Sequence, residues 1–318
     1  MDGSSTSQIG SEIRLDAVIV AVSDQMPRVL TVRGGVPSLP SVDLTPDQRT
    51  LELALRRGIQ DQTGLAVGYV EQLYTFGDLG RIPELEGRLI SIAYLALMRE
   101  DQPSGGAAWT GCYSLFPWED HRGGVPRSIS EEIAPALDDW VDAAPESERD
   151  GRRLRADVVF GLNGPPWDGV RVLDRYELLY EAGVLAGSSS LASGTFDSAD
   201  VVGELSVGIM STRMALDHRR IVASALERLR GKLTYRPTVF ELLAERFTLL
   251  QLQQLVEALA GVPLHKQNFR RLVEQGGLVE GTGETVATAG RPAELFTFRK
   301  EVVTERPRPG VGTPWSRT

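Results

Sequence analysis

The sequence predicts an α+β protein with an N-terminal α/β/α sandwich, a helical insertion within it, and a C-terminal winged helix-turn-helix. Three observations predict this. Residues 13–118 alternate β-rich stretches with one amphipathic helix. From residue 235, helices joined by short turns give way to two β-rich stretches. Charge divides the same way: of 34 Lys+Arg and 43 Asp+Glu, residues 1–212 carry 17 and 32, and residues 213–318 carry 17 and 11. An acidic part joined to a basic part is expected where only one end meets a polyanion.

Residues 15–22 (LDAVIVAV) read as a buried strand, and 28–33 (RVLTVR) as a second strand after a turn containing Pro27. Residues 43–48 read as a loop in which Thr45 caps a helix and Pro46 occupies its first turn; the helix runs to Thr63 and stops at Gly64. Residues 69–76, 89–98 (LISIAYLALM) and 109–116 read as further strands. Between 117 and about 212 the chain changes character. Helices are expected over 129–141, 174–185 and part of 146–160, with a flexible GSSSLASG stretch at 187–194. A helix of about five turns is expected over 214–233, with Ile221, Ala225, Leu226 and Leu229 as its apolar stripe. The expected domains are a disordered tail at 1–12, a domain at 13–212 whose insertion is 119–212, a linker helix at 213–234, a winged helix at 235–303 and a disordered tail at 304–318.

The C-terminal pattern is the most specific. In TVFELLAERFTLLQLQQLVEALAG, Phe240, Leu243, Phe247, Leu252, Leu255, Val256 and Leu259 recur at helical spacing. Gly261 and Pro263 mark a turn. In the following helix Phe269, Leu272 and Val273 are expected to face inward, leaving Lys266, Gln267, Asn268, Arg270 and Arg271 outside. A short turn before a helix with a basic, polar outer face is a DNA-reading arrangement. Residues 278–286 and 294–299 supply the wing strands, and Gly290-Arg291-Pro292 the wing tip, with Arg291 aimed at a flanking groove. Lys and Arg attract phosphate, while Asn, Gln and Arg also read base edges. The competing reading is a helical dimerisation domain with a solvated basic face.

Composition bounds the rest. No stretch approaches the roughly 20 apolar residues of a membrane span. The polar start MDGSSTSQIGSEIR lacks the regions of a signal peptide. The lone Cys112 excludes an internal disulfide and any cysteine-rich zinc site. Cys112, in an apolar strand, reads as core rather than nucleophile. His121, His218 and His265 are too scattered for a metal site, and His218 reads as packed or hydrogen-bonded at the domain junction. A cytoplasmic protein with neither metal nor cofactor is expected.

The strand, loop, helix and strand order of the N-terminal part, with the helix ending in Gln-Thr-Gly-Leu, resembles a Nudix domain. The Nudix box is G-x5-E-x7-R-E-U-x-E-E-x-G-U, with U aliphatic. Counting back from Gly64 and Leu65 puts Arg57 on the arginine and Ile59 on the aliphatic position. The three metal-binding glutamates then fall on Gly58, Asp61 and Gln62, the upstream glutamate on Arg49 and the first glycine on Asp43. Leu39-Pro40 match the usual pair before the box. Magnesium requires hard oxygen ligands in near-octahedral geometry. Glycine offers none and glutamine a neutral one, so metal-assisted hydrolysis is not expected.

The stretches ALDHRRIVASALERLRGKLTYRP, FTLLQLQQLVEALAG, HKQNFRRLVEQGGLV and GRPAELFTF resemble the Nudix-related transcriptional regulators of NAD metabolism, the NrtR-like family, and within it the NadQ-type branch. The family's Phe-Asp-His, Arg-Leu-Arg, Asn-Phe-Arg-Arg and Gly-Arg-Pro elements stand here as Leu216-Asp217-His218, Arg228-Leu229-Arg230, Asn268–Arg271 and Gly290–Pro292. The match covers 214–300 strongly and 13–118 moderately; 119–212 is extra. The resemblance implies a homodimeric repressor of NAD synthesis or salvage genes. It would bind double-stranded operator DNA and be released by an adenine nucleotide such as ADP-ribose, NAD or ATP. The nucleotide pocket is then expected to involve Arg33, Arg57, Asp61 and the aromatics Tyr74 or Phe76. The enzyme alternative is an ADP-ribose pyrophosphatase drawing carboxylates from Glu84, Glu86, Glu131 or Glu132; the binding-only alternative is a Nudix-like scaffold with no small ligand.

Overall fold

The computed structural model describes residues 11–78, 81, 87–185, 211–288, 290–305 and 310–311. The chain forms two compact units. The first gathers residues 1–23, 27–111 and 213–225; the second gathers 24–26, 112–212 and 226–318. The tail at 1–12 falls almost wholly outside the described residues, as do Glu84, Glu86, the 187–194 stretch and most of 304–318.

The first unit is built on a seven-stranded sheet. Its strands are β1 (Ser11–Ser23), β2 (Met26–Gly34), β3 (Val36–Ser38), β4 (Ser41–Asp43), β5 (Tyr69–Phe76), β6 (Arg88–Leu97) and β7 (Ala107–Gly111). The order is β3-β2-β1-β6-β5, with β4 added to β1 and β7 to β2. β1 and β6 run parallel, Leu15 opposite Ile92, and β5 returns antiparallel on β6. The Val- and Ile-rich run in β1 buries Leu15 and residues 17–21 because the strand is covered on both faces. Helix α1 (Leu51–Thr63) packs Ala54, Leu55 and Ile59 onto Leu15, Ala17, Ile19 and Tyr94. Its start differs from the expectation. Thr45 and Gln48 bond to each other in a local turn, and the helix begins only after Thr50, whose hydroxyl accepts from the Leu53 amide at 3.3 Å. Gly64 closes the helix in the left-handed region (φ 72°), as expected.

In the second unit the expected strand at 109–116 breaks at Gly111. Cys112, Tyr113, Leu115 and Phe116 are all buried, which is helical rather than alternating spacing, and Cys112–Leu115 forms the short helix α2. A π-helical turn (Ile129–Ile133) leads into α3 (Ala134–Asp142), followed by α4 (Glu146–Phe160) and α5 (Val172–Glu181). The segment expected as an insertion into the N-terminal domain is, in its described part, packed in the same unit as the winged helix. The reason is a fully buried ion cluster. Arg175 of α5 donates to both Glu119 oxygens at 2.6 and 3.0 Å, and Arg230 pairs with the same carboxylate. Arg230 also donates to the carbonyls of Leu259 and Gly169 at 2.9 Å each. Burial alone would raise the Glu119 pKa, but the two guanidiniums outweigh it and hold the carboxyl below its ordinary value.

The linker helix α6 spans His218–Lys232, starting later than expected because Leu216 sits at φ 53° and bends the chain. Residues up to Ala225 belong to the first unit and those from Leu226 to the second.

Candidate functional sites

The C-terminal module begins with a 3-10 turn (Thr238–Leu242), so the expected continuous helical run from Phe240 is broken before Thr248. There a reciprocal capping box with Gln251 (2.8 and 3.2 Å) starts α7 (Leu249–Ala260). Gly261 ends α7 at φ 72°. The turn that follows is clamped from α7: Glu257 accepts the Leu264 amide at 2.8 Å, and Gln253 donates to the Leu264 carbonyl at 3.2 Å. This fixes the entry of α8 (Lys266–Gln275). Phe269 and Val273 anchor α8 in the core, while Leu272, expected inside, is 42% exposed. Lys266, Gln267, Asn268, Arg270 and Arg271 all face solvent, and the Asn268 side-chain Oδ1 accepts from Arg271 at 2.8 Å.

Strands β8 (Val279–Val286) and β9 (Ala293–Phe298) form an antiparallel hairpin. It is tied to the helices by paired Phe247–Phe296 backbone bonds (3.0 and 2.8 Å) and by Phe240 stacking on Phe298 at 4.3 Å. At its tip Arg291 is exposed, its carbonyl held by the Thr288 hydroxyl at 2.8 Å. The module thus presents a basic, amide-rich helix face and one wing arginine.

The box on α1 is a different case. Gly58 faces Val42 of β4 so closely that a Cβ at 58 would lie 2.0 Å from the Val42 Cγ2 methyl. No glutamate fits there unless Val42 changes rotamer or β4 moves. Gln62 is also occupied: its amide donates to the Ser41 carbonyl at 2.6 Å and accepts from the Ser41 amide at 3.3 Å. Two of the three metal-ligand positions therefore hold β4 against the helix. The third, Asp61, is exposed, one turn from the exposed Arg57 on the outer face of α1. Arg56 is engaged with Glu52 (2.8 Å) and the Gly68 carbonyl (2.9 Å). Among the described residues no group of three or more His, Cys, Asp or Glu side chains is placed to hold a metal ion.

Of the other expected pocket residues, Arg33 lies on β2 opposite Pro37, and its side chain is outside the described residues. Tyr74 is 61% exposed and packs edge-on against Phe76 at 5.0 Å. Phe76 is buried, with the guanidiniums of Arg81 and Arg220 at 5.9 and 5.5 Å from its ring, so Tyr74 is the aromatic open to a ligand. Glu131 and Glu132 sit on the π-helical turn of the second unit. Cys112 is core: burial pushes its thiol up to about 12.

The NrtR DNA-binding winged helix domain family matches residues 239–298. These residues are an NrtR-type winged helix. Over 85 residues the chain is 35% identical to the ADPR responsive transcriptional repressor NtrR of Acinetobacter baylyi. That stretch is 27% of this chain and spans about a third (34%) of the relative's length. In fold it is similar to Shewanella oneidensis NrtR complexed with a 27mer DNA, with a TM-score of 0.54 and 22% identity over 92% of this chain and 95% of that one. A MutT/nudix family protein from Enterococcus faecalis gives a TM-score of 0.52 at 15% identity, over 91% and 87% of the two chains. The architecture is thus a domain of Nudix-like fold followed by a winged helix. Among the described residues no helix is long and apolar enough to cross a membrane.

The residues around the box on α1 come from distant parts of the chain, whose pairing the sequence pattern does not signal. His218, at the start of α6, accepts the buried Leu39 amide on Nδ1 at 2.9 Å, which leaves the proton of the neutral ring on Nε2, 3.6 Å from Asp16 Oδ1. Burial lowers the His218 pKa, against the opposing pull of Asp16 and Asp217. Asp16 in turn accepts the Ser41 hydroxyl at 2.6 Å. Asp217 pairs with Arg81 at 2.5 Å, and Arg81 donates to Ser91 at 2.9 Å. Leu216-Asp217-His218 signalled these contacts, but only the three-dimensional fold shows their partners.

Proposed function

We propose that this chain is a homodimeric transcriptional repressor of NAD biosynthesis or salvage genes. Its winged helix binds a near-palindromic operator, and its Nudix-like unit binds an adenine nucleotide without hydrolysing it. The observation that carries this reading is the closure of the box. Val42 fills the space a glutamate at 58 needs, and the Gln62 amide is consumed by Ser41. A site of this kind keeps a phosphate-attracting side chain, Arg57, exposed on α1, and lacks the glutamates that would polarise a bound pyrophosphate through a metal ion. The name of the Acinetobacter relative, an ADPR responsive repressor, favours ADP-ribose first among NAD, ATP and ADP-ribose. The reader would be α8, with Lys266 and Arg270 on phosphates, Gln267, Asn268 and Arg271 at base edges, and Arg291 in the adjoining groove.

The test pairs two measurements on the intact protein. ADP-ribose, NAD or ATP should raise the melting temperature, since a ligand that binds only the folded state stabilises it. Magnesium-dependent release of AMP from ADP-ribose should be negligible. Turnover at about 1 s⁻¹ or more would instead establish an ADP-ribose pyrophosphatase.

A further inference from the structure

The strip from Pro37 to Asp43 is gripped on two sides. On one side α1 holds it, through the Gln62 amide on the Ser41 backbone and the contact of Gly58 with Val42. On the other, the approach to α6 holds it: the Ala215 amide donates to the Pro37 carbonyl at 2.8 Å, and the Leu39 amide donates to His218 Nδ1 at 2.9 Å. The Ser41 hydroxyl reaches Asp16 at 2.6 Å, and Asp16 faces His218 across a gap of 3.6 Å, too long for a hydrogen bond. His218 Nε2 and Asp16 Oδ2 are both buried without a hydrogen-bond partner. The 3.6 Å gap runs to Asp16 Oδ1, the oxygen that already accepts from Ser41; a buried donor and a buried acceptor left unsatisfied are each costly, and a small shift of the strip would bring His218 Nε2 within reach of the Asp16 carboxylate.

We propose that residues 37–43 are a coupling strip, with Gln62, Ser41 and His218 as its positioning residues. They link the outer face of α1 to the first turn of the linker helix. This explains why glutamine occupies a metal-ligand position. An amide grips both the N–H and the C=O of Ser41, whereas a carboxylate would accept from the first and repel the second. Nucleotide bound on Arg57 and Asp61 would move α1 against the strip, and the strip would re-seat His218. The regulatory half of this inference rests on the function proposed above; the mechanical half does not.

Two measurements on the full-length protein separate them. In Gln62→Met, which keeps the side-chain length and removes the amide, hydrogen exchange at the Leu39 and Ala215 amides should quicken by about ten-fold or more. Amides of β6 should stay unchanged, showing that the unit remains folded. The conservative His218→Asn, which retains an acceptor near Nδ1, should keep Leu39 protected. Unchanged exchange at Leu39 in Gln62→Met overturns the strip, whatever nucleotides do. The second measurement is operator affinity with and without ADP-ribose. The ratio should fall to within about two-fold of unity in Gln62→Met while ADP-ribose still binds. A variant ratio equal to that of the wild type overturns the regulatory role. A wild type whose operator affinity ignores ADP-ribose counts against the proposed function, and the exchange result then decides the strip alone.

Discussion

Replacing Gly58 by alanine should destabilise the first unit, against the rule for helices. In an exposed helix interior Gly→Ala gains about 1 kcal/mol, because alanine loses less backbone entropy. At position 58 the added Cβ would lie 2.0 Å from Val42 Cγ2, 3.3 Å from its Cβ and 3.5 Å from Cγ1. The first distance is far inside van der Waals contact, so Val42 must change rotamer or β4 must move. Forcing a methyl into a packed site costs about 1–3 kcal/mol. The net expectation is a loss of up to about 2 kcal/mol, opposite in sign to the propensity term. In a Val42→Ala background the two Cγ atoms are gone, and Gly58→Ala should turn stabilising. The interaction energy between the sites should then be about 1–3 kcal/mol. Native-state hydrogen exchange at the Ile59 amide, deep in α1, reads the opening free energy of this unit without requiring the whole chain to unfold in one step. If Gly58→Ala stabilises the wild-type background by about 1 kcal/mol, Val42 does not close the box and the steric argument against a glutamate there is wrong.

Three further outcomes are expected. Glu119→Gln leaves Arg175 and Arg230 buried without their counter-charge and should cost about 3–5 kcal/mol, read as a loss of thermal stability. Because the Glu119 pKa is lowered on folding, its contribution is present above its ordinary value and is lost as pH falls through the folded one. Burial lowers His121 to about 4 and also lowers His218. For both, the unfolded state takes up protons first, so stability should decline as pH drops below about 6.5; a pH-stability profile that is flat from 7 to 5 would refute this. Lys266→Ala should weaken operator binding and reduce the salt slope by about one, whereas Arg271→Ala should weaken binding and relax base preference. Gel shifts unchanged by the combined substitution, with the fold intact, would exclude α8 as the reader.

The parts of the fold legible in the sequence were those set by local pattern. β1 shows because its Val and Ile are consecutive, α7 and α8 because Gly261 and the spacing of Leu252, Leu255, Val256, Leu259, Phe269 and Val273 punctuate them. Boundaries set by specific bonds were not legible. Thr50 and Thr45 are equally good caps on paper, and only the Thr45–Gln48 turn decides between them. The packing of the 112–185 segment with the winged helix turns on Glu119, Arg175 and Arg230, which are 56 and 111 residues apart from Glu119 and carry no periodic signal. At the box, the loss of the glutamates could be read directly, but not the use made of their positions. Gln62 meets Ser41 from 21 residues away and His218 meets Leu39 from 179. Alternation places Phe76 and Tyr74 on one face and so makes them equally available; of the two arginines over Phe76, Arg81 is near in sequence but Arg220 comes from a distant segment.

The proposed function requires that a nucleotide on the Nudix-like unit change how the winged helix holds DNA. The most direct measurement titrates ADP-ribose, NAD and ATP into the protein–operator complex and repeats the series with Arg57→Ala. At least one nucleotide should weaken operator binding at a concentration below about a millimolar, a coupling of about 1–3 kcal/mol, and Arg57→Ala should shift that effect to higher nucleotide concentration. Operator affinity that stays constant with all three would contradict the claim and leave the Nudix-like unit as a scaffold without a ligand.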